Sequence, residues 1–247
     1  MSSREIPGQL ITERDPAAAT TEAAERIATA LIEALATRGR ATLALSGGNT
    51  PRAAYATLAR RAGVDWSRVD VYWVDERAVP PDDDRSNYRW AKATLLDAAP
   101  IAPEHVHRMP ADSPDLESAA RSYEKAVREG VPVDVDGVSA FDVMVLGVGD
   151  DGHTASLFPG DRTIDVTDRS VIAVGAQRGL EARLTLTRTV IQHARLVLVL
   201  VVGAGKRAAL ARAWSREGDI HETPSRLVRD CKGQVLWIAD EAAAATA

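Results

Sequence analysis

The chain has 247 residues, 45% hydrophobic and 26% charged, a balance that excludes a disordered or fibrous protein and allows a substantial core to be buried. Its formal net charge of -5 and pI near 5.6 provide no overall field to attract nucleic acid or an anionic membrane, so an anionic ligand must be held by local groups. The single cysteine, Cys231, excludes an internal disulfide and a cysteine-rich metal site.

The opening stretch, MSSREIPGQL, has neither the basic start nor the apolar core of a secretion signal. No run reaches the roughly 18 apolar residues that span a bilayer. One cytoplasmic domain over residues 1–247 is expected.

Asp15 ahead of Pro16 places a capping carboxylate before a residue suited to a first helical turn, predicting a helix to about Ala36. Ala41 to Leu45 reads as a short strand that meets Gly47 and Gly48, after which Pro51 opens a helical stretch to about Ala62. Val69 to Val74 repeats the pattern as a strand. A polar, proline-containing loop follows, and Ser86 is placed to cap a helix from Asn87. A helix is predicted over Leu116 to Arg128, then a strand over Phe141 to Leu146 that ends in Gly147, Gly149 and Gly152. Val171 to Val174 and Arg183 to Thr187 read as short strands able to pair antiparallel. Leu196 to Val202 carries the strongest strand signal and leads through Gly203 and Gly205 into a helix from Lys206 to Trp214. Gln234 to Ile238 supplies the last strand, and EAAAATA at 241–247 reads as a frayed tail.

Strands alternating with helices predict an α/β fold with a mostly parallel sheet flanked by helices, doubly wound and Rossmann-like, and a small antiparallel element. Such sheets bind ligands beyond the carboxyl ends of their strands. Three loops belong there: SGGNTP from Ser46, DERAVPPDDDRSN from Asp75 and GVGDDGHTASLFPG from Gly147.

In the first loop Gly47 and Gly48 let the backbone approach a ligand, while Ser46, Asn49 and Thr50 supply donors before a helix N-terminus, an arrangement suited to phosphate. Taken alone, it is equally a glycine turn capped by Thr50. In the second loop Asp75, Glu76 and Arg77 can orient one another and a polar ligand. Alone, they read as a solvated charge cluster, as do Asp82 to Asp84. The third loop contains a literal GxGxxG, but Asp150 and Asp151 stand where a dinucleotide pyrophosphate would lie, and no acid ends the Val171 to Val174 strand to hold a ribose.

His153 is the best general-base candidate, because imidazole titrates near neutrality and the adjacent carboxylates can hold its tautomer. The other histidines, at 105, 107, 193 and 221, lack such glycine and acid surroundings, and His105 with His107 is too sparse for a metal site. Lys206 can meet a phosphate as a point charge. It is not part of a P-loop, because Leu200 and Arg207 break that pattern.

Together, SGGNTP, DERAVP with Ser86 and Asn87, GVGDDGHTASLFPG, RLTLT at 183–187 and GAGK at 203–206 resemble the 6-phosphogluconolactonase family over nearly the whole chain. The resemblance implies hydrolysis of 6-phospho-D-glucono-1,5-lactone, a phosphorylated sugar lactone, with no metal or organic cofactor and no nucleic-acid or membrane partner; a monomer is compatible with it. By analogy His153 activates water, Asp151 and Asp75 orient it, and Ser46 to Thr50 hold the 6-phosphate with Lys206. Arg77 binds either phosphate or lactone oxygens, and Arg183 is left without a firm role. The related glucosamine-6-phosphate deaminases share the DGH element but carry a carboxylate five residues after the histidine, where this chain has Phe158, and an aromatic residue in place of Arg77. A sugar-phosphate sensor without catalysis is the third alternative.

Overall fold

A computed structural model describes residues 4–177 and 179–245. β1, Gln9–Glu13, leads into α1, Pro16–Arg38. Asp15 Oδ1 accepts from Ala18 N at 2.8 Å, and Gly39 closes the helix with φ +77°, its N–H donating to Leu35 O. The N-terminal end matches the capping signal in the sequence, while the helix runs two residues past the expected Ala36, to a glycine cap. The buried face of α1 carries Ala23, Ile27, Leu31 and Ala34 at helical spacing.

β2 (Ala41–Leu45) and α2 (Asn49–Leu58) are followed by β3 (Val69–Trp73), β4 (Asp75–Arg77), α3 (Asn87–Ala91) and α4 (Leu116–Gly130). The chain continues through β5 (Val143–Leu146), β6 (Val171–Val174), β7 (Arg183–Leu186), α5 (Arg188–His193) and β8 (Leu196–Val201). It ends with α6 (Arg207–Trp214), β9 (Gln234–Asp240) and α7 (Glu241–Ala244).

Six strands form one parallel sheet in the order β1-β9-β8-β5-β2-β3, and β4-β7-β6 form a separate antiparallel sheet. β2, β3 and β5 are buried at every position, which explains why they are mostly apolar, with Thr42 of β2 and Asp70 of β3 the polar exceptions. β2 pairs with β3 on one side and β5 on the other, so the winding direction changes between β2 and β5. That switch point is where a doubly wound sheet opens a crevice, and the loops after β2 and β5 border it.

Several elements depart from the sequence expectation. β1 and β4 were not predicted: β1 is a part-exposed edge strand with neither an apolar run nor clean alternation, and β4 consists of three charged residues. The short helix α5 was also missed. α2 begins at Asn49 rather than Pro51 and ends at Leu58, four residues short of Ala62. The expected frayed tail is corrected at Glu241–Ala244, which form a helical turn capped by Asp240 Oδ1 accepting from Ala243 N at 2.8 Å. Residues 246–247 of that expectation lie outside the described residues. Among the described residues no helix is long and apolar enough to cross a membrane.

The histidines outside the third loop also need correction, since all of them have carboxylate partners. His105 Nδ1 and His107 Nε2 each lie 3.0 Å from Asp70 Oδ1 on β3, while Arg40 donates to Asp70 Oδ2 at 2.8 Å. His193 pairs with Asp134, and His221 with Asp165 and Asp219. Burial pushes the Asp70 carboxyl up, but the hydrogen bonds from His107, His105 and Arg40 outweigh it and hold the group at about 2. A depressed carboxyl pKa stabilises the fold above the unfolded value, and that contribution disappears as pH falls through the folded one. Asp70→Asn is therefore expected to be less stable than the parent at neutral pH, with the gap closing as pH drops from about 4 towards 2. Urea denaturation across that range measures it; a gap independent of pH would assign the loss to packing.

Candidate functional site

The first loop leaves the buried end of β2 and is tied to α2 by Tyr55. Ser46 N donates to the Tyr55 hydroxyl at 3.0 Å, and that hydroxyl donates back to Ser46 O at 3.1 Å. Gly48 occupies the N-cap with φ +107°, a conformation that favours glycine, and offers no side chain to the first-turn N–H groups. Thr50 is thus not the cap. The uncapped N–H groups and the helix dipole make this turn a place for an anion.

The second loop is not the solvated charge cluster that its composition suggests. Asp75 and Glu76 are 5% and 4% exposed. Glu76 accepts from the backbone N–H groups of Arg77, Asn87 and Tyr88 at 2.7–2.8 Å and from Ser86 Oγ at 3.0 Å. Its carboxylate thereby clamps β4 to the start of α3. Ser86 also caps α3, its Oγ accepting from Arg89 N at 3.1 Å, as the sequence predicts. Asn87 Nδ2 donates to Asp75 O at 2.9 Å and to Asp75 Oδ1 at 3.2 Å. A Cβ at Gly47 would overlap the Asn87 carboxamide, so glycine there lets the first and second loops meet.

The third loop folds back on itself: Gly149 N donates to His153 O at 2.9 Å, and Gly152 N to Gly149 O at 2.9 Å. It does not open an α-helix, so it lacks the helix N-terminus on which a dinucleotide pyrophosphate rests. Asp151 Oδ1 accepts from His153 N at 3.0 Å and lies 2.6 Å from His153 Nδ1. That contact places the proton on Nδ1 and leaves Nε2 as the basic nitrogen. A Cβ at Gly149 would overlap the imidazole Nδ1, so the glycine makes room for the pair. Ala155 is held at φ +49°, an uncommon conformation for a residue with a Cβ, at the cavity edge. Ser156 Oγ donates to Asp75 Oδ2 at 2.5 Å, joining the third loop to the second.

After β8, the turn at Ala204–Lys206 delivers Lys206, whose Nζ lies 2.7 Å from Asp150 Oδ1. Gly203 N donates to Asp240 Oδ1 at 2.9 Å, anchoring the turn to β9.

These loops enclose a cavity of about 210 Å³. That is below the roughly 300–1,000 Å³ of drug-sized ligand sites and suits a sugar-sized molecule better than a dinucleotide. Ser46, Gly47, Gly48, Asp75, Arg77, His153 and Lys206 line it together with Asn87 and Arg183. Asp151 contacts His153 but is not part of the lining. Asn49 and Thr50 sit in the first turn of α2, outside the lining. Four of the lining residues carry a buried polar atom with no hydrogen-bond partner among the described residues: Ser46 Oγ, Asn87 Oδ1, Arg77 Nε and Arg183 Nε.

Asn87, Ser156 and Arg183 were not singled out as site residues. Asn87 looks like an ordinary helix start and Ser156 like an unremarkable loop hydroxyl; Arg183 carried only the RLTLT pattern. Away from this cavity, Asp134, Asp136 and His193 bring possible metal-ligand atoms within 4.8 Å of one another. Asp136 there also pairs with Lys232.

The family described as "Glucosamine-6-phosphate isomerases/6-phosphogluconolactonase" matches residues 14–237. The 6-phosphogluconolactonase of Synechocystis sp. is 41% identical over 217 residues, covering 88% of this chain and 89% of that protein. The 6-phosphogluconolactonase of Streptomyces coelicolor is 39% identical over 245 residues, covering 96% and 93% respectively. The solved structure of 6-phosphogluconolactonase from Trypanosoma brucei is similar with a TM-score of 0.85 at 28% identity, covering 98% of both chains.

Proposed function

This chain belongs to the glucosamine-6-phosphate isomerase/6-phosphogluconolactonase family, and we propose that it is a cytoplasmic enzyme hydrolysing 6-phospho-D-glucono-1,5-lactone to 6-phospho-D-gluconate in the oxidative pentose phosphate pathway. The observation that carries the reading is the His153–Asp151 pair at 2.6 Å, beside a cavity that α2 and Lys206 make hospitable to phosphate.

His153 Nε2 takes a proton from water as the water oxygen bonds to the lactone carbonyl carbon. The tetrahedral intermediate collapses, the bond to the ring oxygen breaks, and the imidazolium returns the proton to that oxygen. Asp151 holds the tautomer and stabilises the imidazolium, the orienting role of a carboxylate beside a catalytic histidine. Asp75 is a positioning residue that links Asn87 to Ser156. The 6-phosphate sits at the start of α2, with the backbone of Gly47 and Gly48, Ser46, the first-turn residues Asn49 and Thr50, and Lys206. Arg77 is one of three cationic side chains that line the cavity, with Lys206 and Arg183.

Phe158 favours hydrolysis over the deaminase alternative. Its ring centroid lies 4.8 Å from that of His153, so the imidazole meets an apolar ring where the deaminase pattern supplies a carboxylate. The deciding experiment adds purified protein to freshly generated lactone and follows lactone loss above the spontaneous rate, alongside ammonia release from glucosamine 6-phosphate. Accelerated lactone loss without ammonia is expected. Ammonia release would establish a deaminase; sugar-phosphate binding without either reaction would establish a sensor.

Lys206→Ala is expected to raise KM with kcat nearly unchanged, because the phosphate lies away from the bond that breaks. The loss should be about 1.5–3 kcal/mol, the worth of a hydrogen bond to a charged group, lowered by release of Asp150 from its present ion pair. Parental KM would place Lys206 outside the phosphate site.

A further inference from the structure

Arg183 occupies an unusual position for a cation. On β7 it stands directly opposite Arg77 of β4 in antiparallel register, and both residues line the cavity. Like charges facing each other across two strands are destabilising. Arg183 is only 7% exposed, its Nε is buried without a partner among the described residues, and its guanidinium remains charged. Burying such a group is costly without anionic compensation. Asp75 supplies only part of it, with Oδ2 at 3.6 Å from Arg183 Nη1; the same nitrogen donates to Ser156 Oγ at 3.3 Å.

Location distinguishes which part of a ligand Arg183 meets. Its guanidinium carbon lies 5.4 Å from the centre of the Phe158 ring, whose other neighbour is the His153 imidazole. Arg183 and His153 therefore flank one aromatic ring. Among the described residues, the side-chain contacts of Arg183 are with Asp75 of β4 and with Ser156 and Phe158 of the third loop, the loop that carries His153.

We propose that Arg183 is a further catalytic residue, donating a hydrogen bond to the lactone carbonyl oxygen and to the oxyanion that it becomes, with Ser156 and Asp75 positioning the guanidinium. As water bonds to the carbonyl carbon, the π electron pair moves onto the carbonyl oxygen, where Arg183 stabilises it. When the pair returns, the ring C–O bond breaks, and the ring oxygen takes the proton carried by His153. The carbonyl oxygen stays in the product carboxyl group, which ionises in water. Donors prearranged around a developing oxyanion are among the largest contributors to acyl-transfer rates. The assignment rests on the lactonase reading.

The test uses Arg183→Met with two measurements: lactone turnover, and binding of D-glucitol 6-phosphate, which has the phosphate and hydroxyls but no carbonyl at C1. A kcat loss of about 10²- to 10³-fold is expected, as for removal of an oxyanion donor, with parental affinity for glucitol 6-phosphate. Arg183→Lys should recover only part of the rate, because it restores the charge without the planar fork. Weakened glucitol 6-phosphate binding with kcat retained would move Arg183 to the phosphate and overturn the proposal, as would parental kinetics in a folded variant. Should Arg183→Met fail to fold, Ser156→Ala keeps the arginine and removes one anchor. A lower kcat with unchanged glucitol 6-phosphate binding then supports the assignment, and parental kcat refutes it. Failure of the lactonase reading is separately visible, since the parent protein would then not accelerate lactone loss.

Discussion

His153→Ala is expected to fold, bind 6-phosphogluconate and lose about 10²- to 10⁴-fold in kcat, the usual contribution of general acid–base assistance. Folding should survive because the side chain is 30% exposed on a loop and its strongest polar contact is with Asp151 of the same loop. Product affinity should change little, since the groups assigned to the phosphate belong to other elements. A fall in kcat and kcat/KM together is the mark of an interaction made in the transition state. Lactone loss must be followed at constant, near-neutral pH, where hydroxide does not mask the missing base. Parental kcat in the folded variant would remove His153 from the mechanism and leave Asp75 or Asp151 as candidate base.

Gly149→Ala should produce a loss of the same kind through one added methyl group. Its Cβ would overlap the imidazole Nδ1 of His153 and lie 2.8 Å from Asp151 Oδ1. The imidazole is the side chain able to give way, so the expected consequence is a displaced base in an otherwise intact fold. A misplacement of about 1 Å at a reacting group can cost on the order of 10²-fold, and kcat is expected to fall by that order. Thermal unfolding should remain close to the parent's, and phosphate affinity should be retained. Parental activity would show that the loop relaxes around the methyl group and that the 2.6 Å contact is not required.

The two substitutions separate chemistry from placement. His153→Ala removes the group, whereas Gly149→Ala keeps both His153 and Asp151 and disturbs their relation. Exogenous imidazole gives a further distinction: partial rescue is expected for the vacated site of His153→Ala, and less for Gly149→Ala, where the native ring still occupies space.

The parallel sheet was legible because its central strands are buried on both faces and therefore spell mostly apolar runs, each followed by a glycine loop. The start of α1 was equally legible, since capping is local chemistry written into Asp15 and Pro16. The pairing of His153 with Asp151 belongs to the same class: two residues apart on a glycine-rich turn, they have little freedom to separate.

What lies between distant segments was not legible. β4 is stabilised although it is made of Asp75, Glu76 and Arg77, because residues 86–88 supply the donors that its Glu76 carboxylate requires. Sequence neighbours alone made that trio look solvated. For the same reason His105 and His107 appeared unsupported, while their partner Asp70 lies on β3. The site divides along this line. Local sequence determined the glycine turns, the histidine with its carboxylate, and the helix start available to an anion. Only the tertiary structure set Arg183 opposite Arg77, joined Asp75 to Ser156 and brought Asn87 against Gly47, because strand register and loop packing act across the chain, where spacing carries no record of them.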